Sequence, residues 1–219
     1  MFLNLISQRS IFMQKLLSLV VAGLVASSAA NAESKTSLSY ISTSTDLTYS
    51  TAKIALDMDG FAIGTTVDLN EQFFLTGSYS KLSGTASASL SGTTIATGNL
   101  DQDTLTVGAG INLTNDLDRQ AGTGSNLKAA VGYSKTDLGT LSANNTLIGL
   151  NYDFAIAKKV SINTTFSGVI DDFNPAYGVG IAYSLGGGDL FAGYAFTEDN
   201  VAGIKIEDSA LNIGYSFNF

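Results

Sequence analysis

The chain has 219 residues, 19 of them acidic and 11 basic, with no cysteine and no histidine. Its negative balance argues against a nucleic-acid partner, and the missing cysteine excludes disulfides and zinc–thiolate chemistry. Charged residues are 14% of the whole, against about 25% in ordinary soluble domains, yet nothing beyond residue 32 is apolar for long enough to be a helical span.

In chain order, the first element is a leader. Met13-Gln14-Lys15 is basic, Leu16 to Ala26 is apolar and uncharged, and Ala30-Asn31-Ala32 supplies Ala30 and Ala32 as the small residues of an A-x-A cleavage pattern before Glu33. This is the three-part pattern of a secretory signal peptide over 1–32, and the apolar run is short of the roughly 20 residues that span a bilayer. Residues 1–12 read as a longer leader or as a start assigned too early, with Met13 the better start. The expected mature domain, 33–219, keeps nine basic and all nineteen acidic residues, a net charge of −10.

The mature part reads as strands of period two. The first lies within Thr36–Ser50, where Leu38 and Tyr40 share one parity and Leu47 and Tyr49 the other, so a bulge or an unpaired lead-in is expected. Gly60–Leu69 alternates Phe61, Ile63, Val67 and Leu69 with small polar residues, and Asn70-Glu71 turns the chain into Gln72–Leu82. Gly84–Gln102, rich in Ser, Thr, Ala and Gly, reads as a long hairpin tip around Ser91-Gly92. Asp103–Leu113 follows, then a polar connection at Thr114–Ser125, then Asn126–Ser134. Thr146–Ala157 and Val160–Ile170 flank a turn at Lys158-Lys159; beyond Pro175, Tyr177, Val179, Ile181 and Tyr183 alternate with small residues. Gly186-Gly187-Gly188 leads to Leu190–Phe196, and Glu198–Asp208 connects to the last strand, Ser209–Phe219.

That last strand carries Leu211, Ile213, Tyr215, Phe217 and Phe219 on one face and Asn212, Gly214, Ser216 and Asn218 on the other. It resembles the terminal strand of bacterial outer-membrane β-barrels, whose aromatic-x-Phe ending the barrel-assembly machinery reads; Tyr215, Phe217 and Phe219 would be that signal here. The pattern is similar to small barrels of the opacity and outer-membrane-protein-A type, without a following peptidoglycan-binding domain. The resemblance implies a transmembrane antiparallel up-and-down barrel, exported by the Sec pathway to the outer membrane of a Gram-negative bacterium. Ten strands are expected, or eight if the first two segments do not pair. A barrel closes because an open edge in lipid would leave backbone groups unsatisfied. The competing β-sandwich would carry many Lys, Glu and Arg on its wet face, whereas the second face here is mostly Gly, Ser, Thr, Ala and Asn. Tyrosines near strand ends suit interfacial girdles.

Three charges have inward parity: Asp68, Lys128 and Asp153. A regular hairpin about Thr140 would set Lys128 opposite Asp153, either as an ion pair tuning the bore or as two separately hydrated charges. The outer loops and strand ends hold Asp57, Asp59, Asp101, Asp103, Asp137, Asp171, Asp172, Glu198, Asp199, Glu207 and Asp208 against Lys53, Lys81, Lys135 and Lys205, net −7. Such a rim suits divalent cations shared with lipopolysaccharide, and Lys81 and Lys135 are placed to reach lipid phosphates.

Enzymatic chemistry finds little to stand on. Barrel proteases and lipid-modifying barrels resemble one another in using a histidine base, which this chain lacks. Its acidic pairs fall at strand ends, and the glycines at 108, 110, 178 and 180 lie inside strands with no following helix, so no phosphate loop forms. No cofactor is expected. The expected function is a monomeric structural or surface-interaction barrel in contact with outer-membrane lipid, lipopolysaccharide or external partners. The alternative is a narrow passive channel for small solutes or cations.

Overall fold

A computed structural model describes residues 34–170, 175–201 and 203–218, which form ten strands. The leader 1–32, with Ala30 and Ala32, lies outside the described residues, as do Asp171, Asp172 and Phe219. The strands are β1 (Lys35–Tyr49), β2 (Ala52–Asp68), β3 (Phe73–Leu90), β4 (Thr93–Asn115), β5 (Ser125–Leu138), β6 (Leu141–Ala157), β7 (Val160–Val169), β8 (Ala176–Ser184), β9 (Gly188–Val201) and β10 (Ile204–Asn218). Each pairs antiparallel with its chain neighbours, and β1 closes on β10 from Lys35↔Asn218 to Thr48↔Lys205, so no strand edge is open at membrane depth.

Closure is written into the turns. The β3–β4 hairpin turns on Ser91 and Gly92, both at positive φ (50° and 81°). Two successive positive φ values define the turn whose twist matches paired strands, and glycine takes the second at no steric cost. At the other end Asn70 accepts hydrogen bonds from the N–H groups of Gln72 and Phe73, each 2.8 Å long, holding the β2–β3 turn.

All the strands except β7 and β8 are longer than the 9–11 residues that a tilted membrane strand needs, and the surplus lies at the end away from the termini. There the two faces exchange character. In the inner half the outward residues are apolar: Leu38 and Tyr40 on β1, Phe61, Ile63 and Val67 on β2, Leu105 and Val107 on β4, Ile213 and Phe217 on β10 are all exposed. Their inward neighbours, such as Ser37, Ser39, Thr66 and Thr106, are buried and polar. In the outer half the outward positions are Ser44 on β1, Asp57 and Asp59 on β2, Lys81 on β3, Asp103 on β4 and Glu207 on β10. The inward ones there are Ile41, Leu47, Leu56, Met58, Leu82, Leu138 and Ile206, packed into one apolar cluster.

This inversion corrects the expectation for the first strand. β1 runs from Lys35 to Tyr49 with no register shift against β2 or β10. Leu38 and Leu47 differ in parity because one faces lipid and the other fills the lumen of a section that stands in water. A change of environment, not a bulge, moves the apolar face. The level of the switch is marked by Tyr79, whose hydroxyl donates to Asp103 at 2.6 Å, as befits an aromatic at the boundary between lipid and water. Two glycines mark it as well: a Cβ on Gly84 would lie 1.9 Å from the Asp57 carbonyl oxygen, and one on Gly60 2.0 Å from that of Lys81. Only glycine lets β2 and β3 bend against each other so closely.

Gly84–Gln102 is the long hairpin tip expected around Ser91-Gly92, paired strand on both sides of that turn. One further expectation is corrected: Glu198–Asp208 is not a connection but paired strand up to Val201 and again from Ile204. Its charged residues hid the pairing because the apolar positions of the outer half point inward.

Candidate functional site

The lumen holds the polar and charged groups that do not face water or lipid. Its inner end is closed by the connection between β4 and β5. Residues 116–124 fold inward under backbone bonds from Asp118 N to Thr123 O (2.9 Å) and from Gly122 N to Asp118 O (2.9 Å), carrying Arg119 into the bore. Arg119 is 4% exposed. Its Nη1 donates to Asp189 Oδ2 at 2.5 Å, and its Nη2 lies 3.7 Å from Asp153 Oδ1. Lys35 Nζ donates to the same Asp189 oxygen at 2.5 Å, and Ser184 donates to Asp189 Oδ1 at 2.6 Å. Asn163 Nδ2 donates to Asp153 Oδ1 at 3.0 Å. One cluster thus ties β1, β6, β7, β8 and β9 to the inner connection. Buried ion pairs recover little net stability beyond the cost of dehydration, so what the cluster contributes is position: it holds a loop across the inner mouth.

Asp68, Lys128 and Asp153 all point into the lumen, but they do not meet as expected. The β5–β6 turn has two residues, so Lys128 stands opposite Asn151 and Asp153 opposite Asn126. The pairing expected from a turn centred on Thr140 is therefore displaced by two residues, and Asp153 takes Arg119 instead. Lys128 lies 5.0 Å from the centre of the Phe74 ring, a cation–π distance, and its Nζ has no hydrogen-bond partner among protein atoms. Nor do the carboxylate oxygens of Asp68, the amide of Asn151 or the hydroxyl of Thr106. So many unpaired inward groups imply water, because buried polar atoms without partners are rare. Two cavities of about 40 Å³ each lie here, one beside Lys35, Arg119, Asp153 and Asp189, the other beside Lys128, Thr106 and Asn151. Each has room for a few waters at roughly 10–15 Å³ per molecule.

Three members of this site escaped the sequence reading. Arg119 lay in a connection without periodicity, Asp189 follows three glycines, and Lys35 precedes the first clear alternation. Their signal was only that each is a charge beside the inner end of a strand or in an inner connection.

Above the hydrated chamber, the apolar cluster of Leu82, Ile206, Ile41 and their neighbours occupies the bore. Leu82 is 0% and Ile206 1% exposed. Asp208, read as a rim carboxylate, is buried inside this outer lumen at 4% exposure. The rim proper carries local pairs: Lys53 with Asp46 at 2.9 Å, Lys135 with Asp137 at 3.0 Å, and Lys205 with Glu207 at 2.9 Å. At the outer tip of β5, the Ser142 hydroxyl and then the Lys135 ammonium hold the Asp137 carboxyl below its ordinary pKa. Glu207, and after it Glu198, raise Lys205 above its own. Lys81 and Lys135 point outward just above the apolar belt, with half or more of each side chain exposed. Tyr215 and Phe217 pack edge to face at 4.8 Å on the lipid side of β10.

No protein-family model and no curated protein matches the chain. Solved structures do. The translocator domain of the autotransporter NalP from Neisseria meningitidis is 12% identical over 92% of this chain and 93% of its own, with a TM-score of 0.52. The outer membrane protease OmpT from Escherichia coli is 12% identical over 87% of this chain and 98% of its own, with a TM-score of 0.55. At such identity the likeness is one of fold. The chain has the fold of outer-membrane β-barrel proteins: a closed, transmembrane, antiparallel up-and-down barrel, with ten strands among the described residues.

Proposed function

We propose that this chain is carried out of the cytoplasm by the 1–32 leader through the Sec pathway. It is then inserted into a Gram-negative outer membrane as a monomer, with Tyr215, Phe217 and Phe219 presented to the assembly machinery. There it acts as a closed barrel with a structural or surface-interaction role rather than as a pore. The observation that carries this reading is the apolar packing of the outer lumen around Leu82 and Ile206, both nearly without exposed surface. A hydrophobic constriction excludes water and with it ions, and a barrel selected for flux would not fill its mouth with leucine, isoleucine and methionine.

What the barrel offers is its outer half, a wall of hydroxyls and carboxylates with four lysines, Lys53, Lys81, Lys135 and Lys205. Divalent cations would bridge these carboxylates to lipopolysaccharide, and Lys81 and Lys135 would meet its phosphates. A non-enzymatic role belongs to the proposal. OmpT is a protease, but this chain has no histidine to serve as a general base. Planar-bilayer recording of the refolded protein tests the reading: insertion without unitary current steps is expected. Stable ohmic steps would replace it with the narrow-channel alternative.

A further inference from the structure

The outer rim is stepped. β2 accompanies β3 to its end, Ala52 opposite Leu90, but β5 begins to pair with β4 only at Leu138, opposite Gln102. The stretch of β4 from Thr93 to Asp101 is therefore paired with β3 alone. Gly139 N donates to Asp101 O at 3.2 Å, so Asp101 aims its main-chain groups at the β5 side. By antiparallel alternation Asn99 and Thr97 aim their N–H and C=O groups the same way, with no strand to receive them. Every residue from Thr93 to Asn99 is exposed.

Such an edge is a template for pairing, and proteins usually blunt it with lysine, proline or a cover. From residue 82 to residue 100 there is no charge and no proline. A bulge at Ile95, between Thr94 and Ala96 in the pairing with β3, disturbs the tip, leaving Ala96–Leu100 regular. Around this neutral edge, the outer half carries Asp46, Asp57, Asp59, Asp101 and Asp137 among ten described carboxylates, against four lysines. A second copy would bring the same excess against itself; a basic strand would meet it favourably.

We propose that the free edge of β4 is a strand-addition site for an extended polypeptide segment carrying lysine or arginine. The segment's main chain would bond to Thr97 and Asn99, and its basic side chains would reach Asp101 and Asp137 at the foot of the edge. The proposal deepens the surface-interaction reading and rests on it.

The test uses the full mature chain, isotope-labelled and refolded in micelles, with an octapeptide of alternating Lys and Val as probe. The peptide should shift the amide signals of Thr97 and Asn99, and a copy N-methylated at alternate residues should not. Thr97→Pro removes one outward N–H while leaving the bonds to β3, and should weaken binding about tenfold; Thr97→Ala should stay within about twofold. Equal binding of an alternating Glu–Val peptide, indifference to Thr97→Pro, or no binding at all would overturn the proposal. So would a concentration-dependent dimer abolished by Thr97→Pro, which would assign the edge to a second copy. Current steps from a barrel that still binds the peptide would instead refute the closed-barrel reading and leave the edge standing.

Discussion

Replacing Leu82 by Ala perturbs the outer lumen at its most enclosed point. The side chain is 0% exposed and belongs to the cluster with Leu56, Met58 and Ile206. Hydrogen bonds all round the barrel hold the wall in place, so the space left by the missing atoms cannot collapse. Leucine-to-alanine changes in such sites cost about 2–5 kcal/mol, and a value of about 3 kcal/mol is expected here. Ile95, 66% exposed on the same hairpin, supplies the control: Ile95→Ala should stay within about 0.5 kcal/mol of wild type. The chain has no tryptophan, so urea unfolding in lipid vesicles is followed by circular dichroism and by heat-modifiable gel mobility. The expected signature is a lower midpoint at unchanged m-value. A cost below about 0.5 kcal/mol for Leu82→Ala would refute the reasoning. Full stability in Leu82→Asn would do the same, because a buried amide without partners is tolerated only where water is present.

The charged cluster at the inner mouth gives two more tests. Arg119→Met should lower stability by about 1–3 kcal/mol through the carboxylate left at Asp153, and adding Asp153→Asn should recover much of it. Additive losses in that double variant would show that the two side chains do not interact. Lys128→Met keeps the contact with Phe74 while removing an ammonium that has no partner among protein atoms, so the unfolding midpoint should hold or rise. A loss of more than about 1 kcal/mol would show instead that Lys128 is tied through water to Asp68.

Much of the barrel is legible in the sequence, for a physical reason. Lipid on one side of a strand imposes a period of two, which Phe61, Ile63 and Val67 carry with one break at Thr65 and Ile213, Tyr215 and Phe217 carry without interruption. The outer half resisted reading because water outside and oil inside give the same period with opposite phase. Leu56, Met58 and Leu82 sit in strands whose outward residues are Asp57, Asp59 and Lys81, and alternation alone does not say which side is wet. Register failed at β5–β6 for a smaller reason: the hairpin turns on Gly139 and Thr140, one residue earlier than expected, which moves every partner by two, and Lys128 and Asp153 pass each other. Arg119 was invisible because a connection has no period, and what brings it indoors is the fold of 116–124 back into the bore.

One regular strand passes from lipid to water while its inner face passes from polar to apolar. Spin labels placed singly at Leu38, Tyr40, Ser42, Ser44 and Asp46 on the outward face of β1 test it most directly. Oxygen-rich, lipid-like accessibility is expected at 38 and 40, a crossover at 42, and accessibility to a water-soluble nickel chelate at 44 and 46. Labels at Ile41 and Leu47 should be shielded from both reagents. Lipid-like accessibility continuing through residue 46, or a shift of the accessible parity between 40 and 47, would rule out such a passage. The second result would restore a bulge in the first strand.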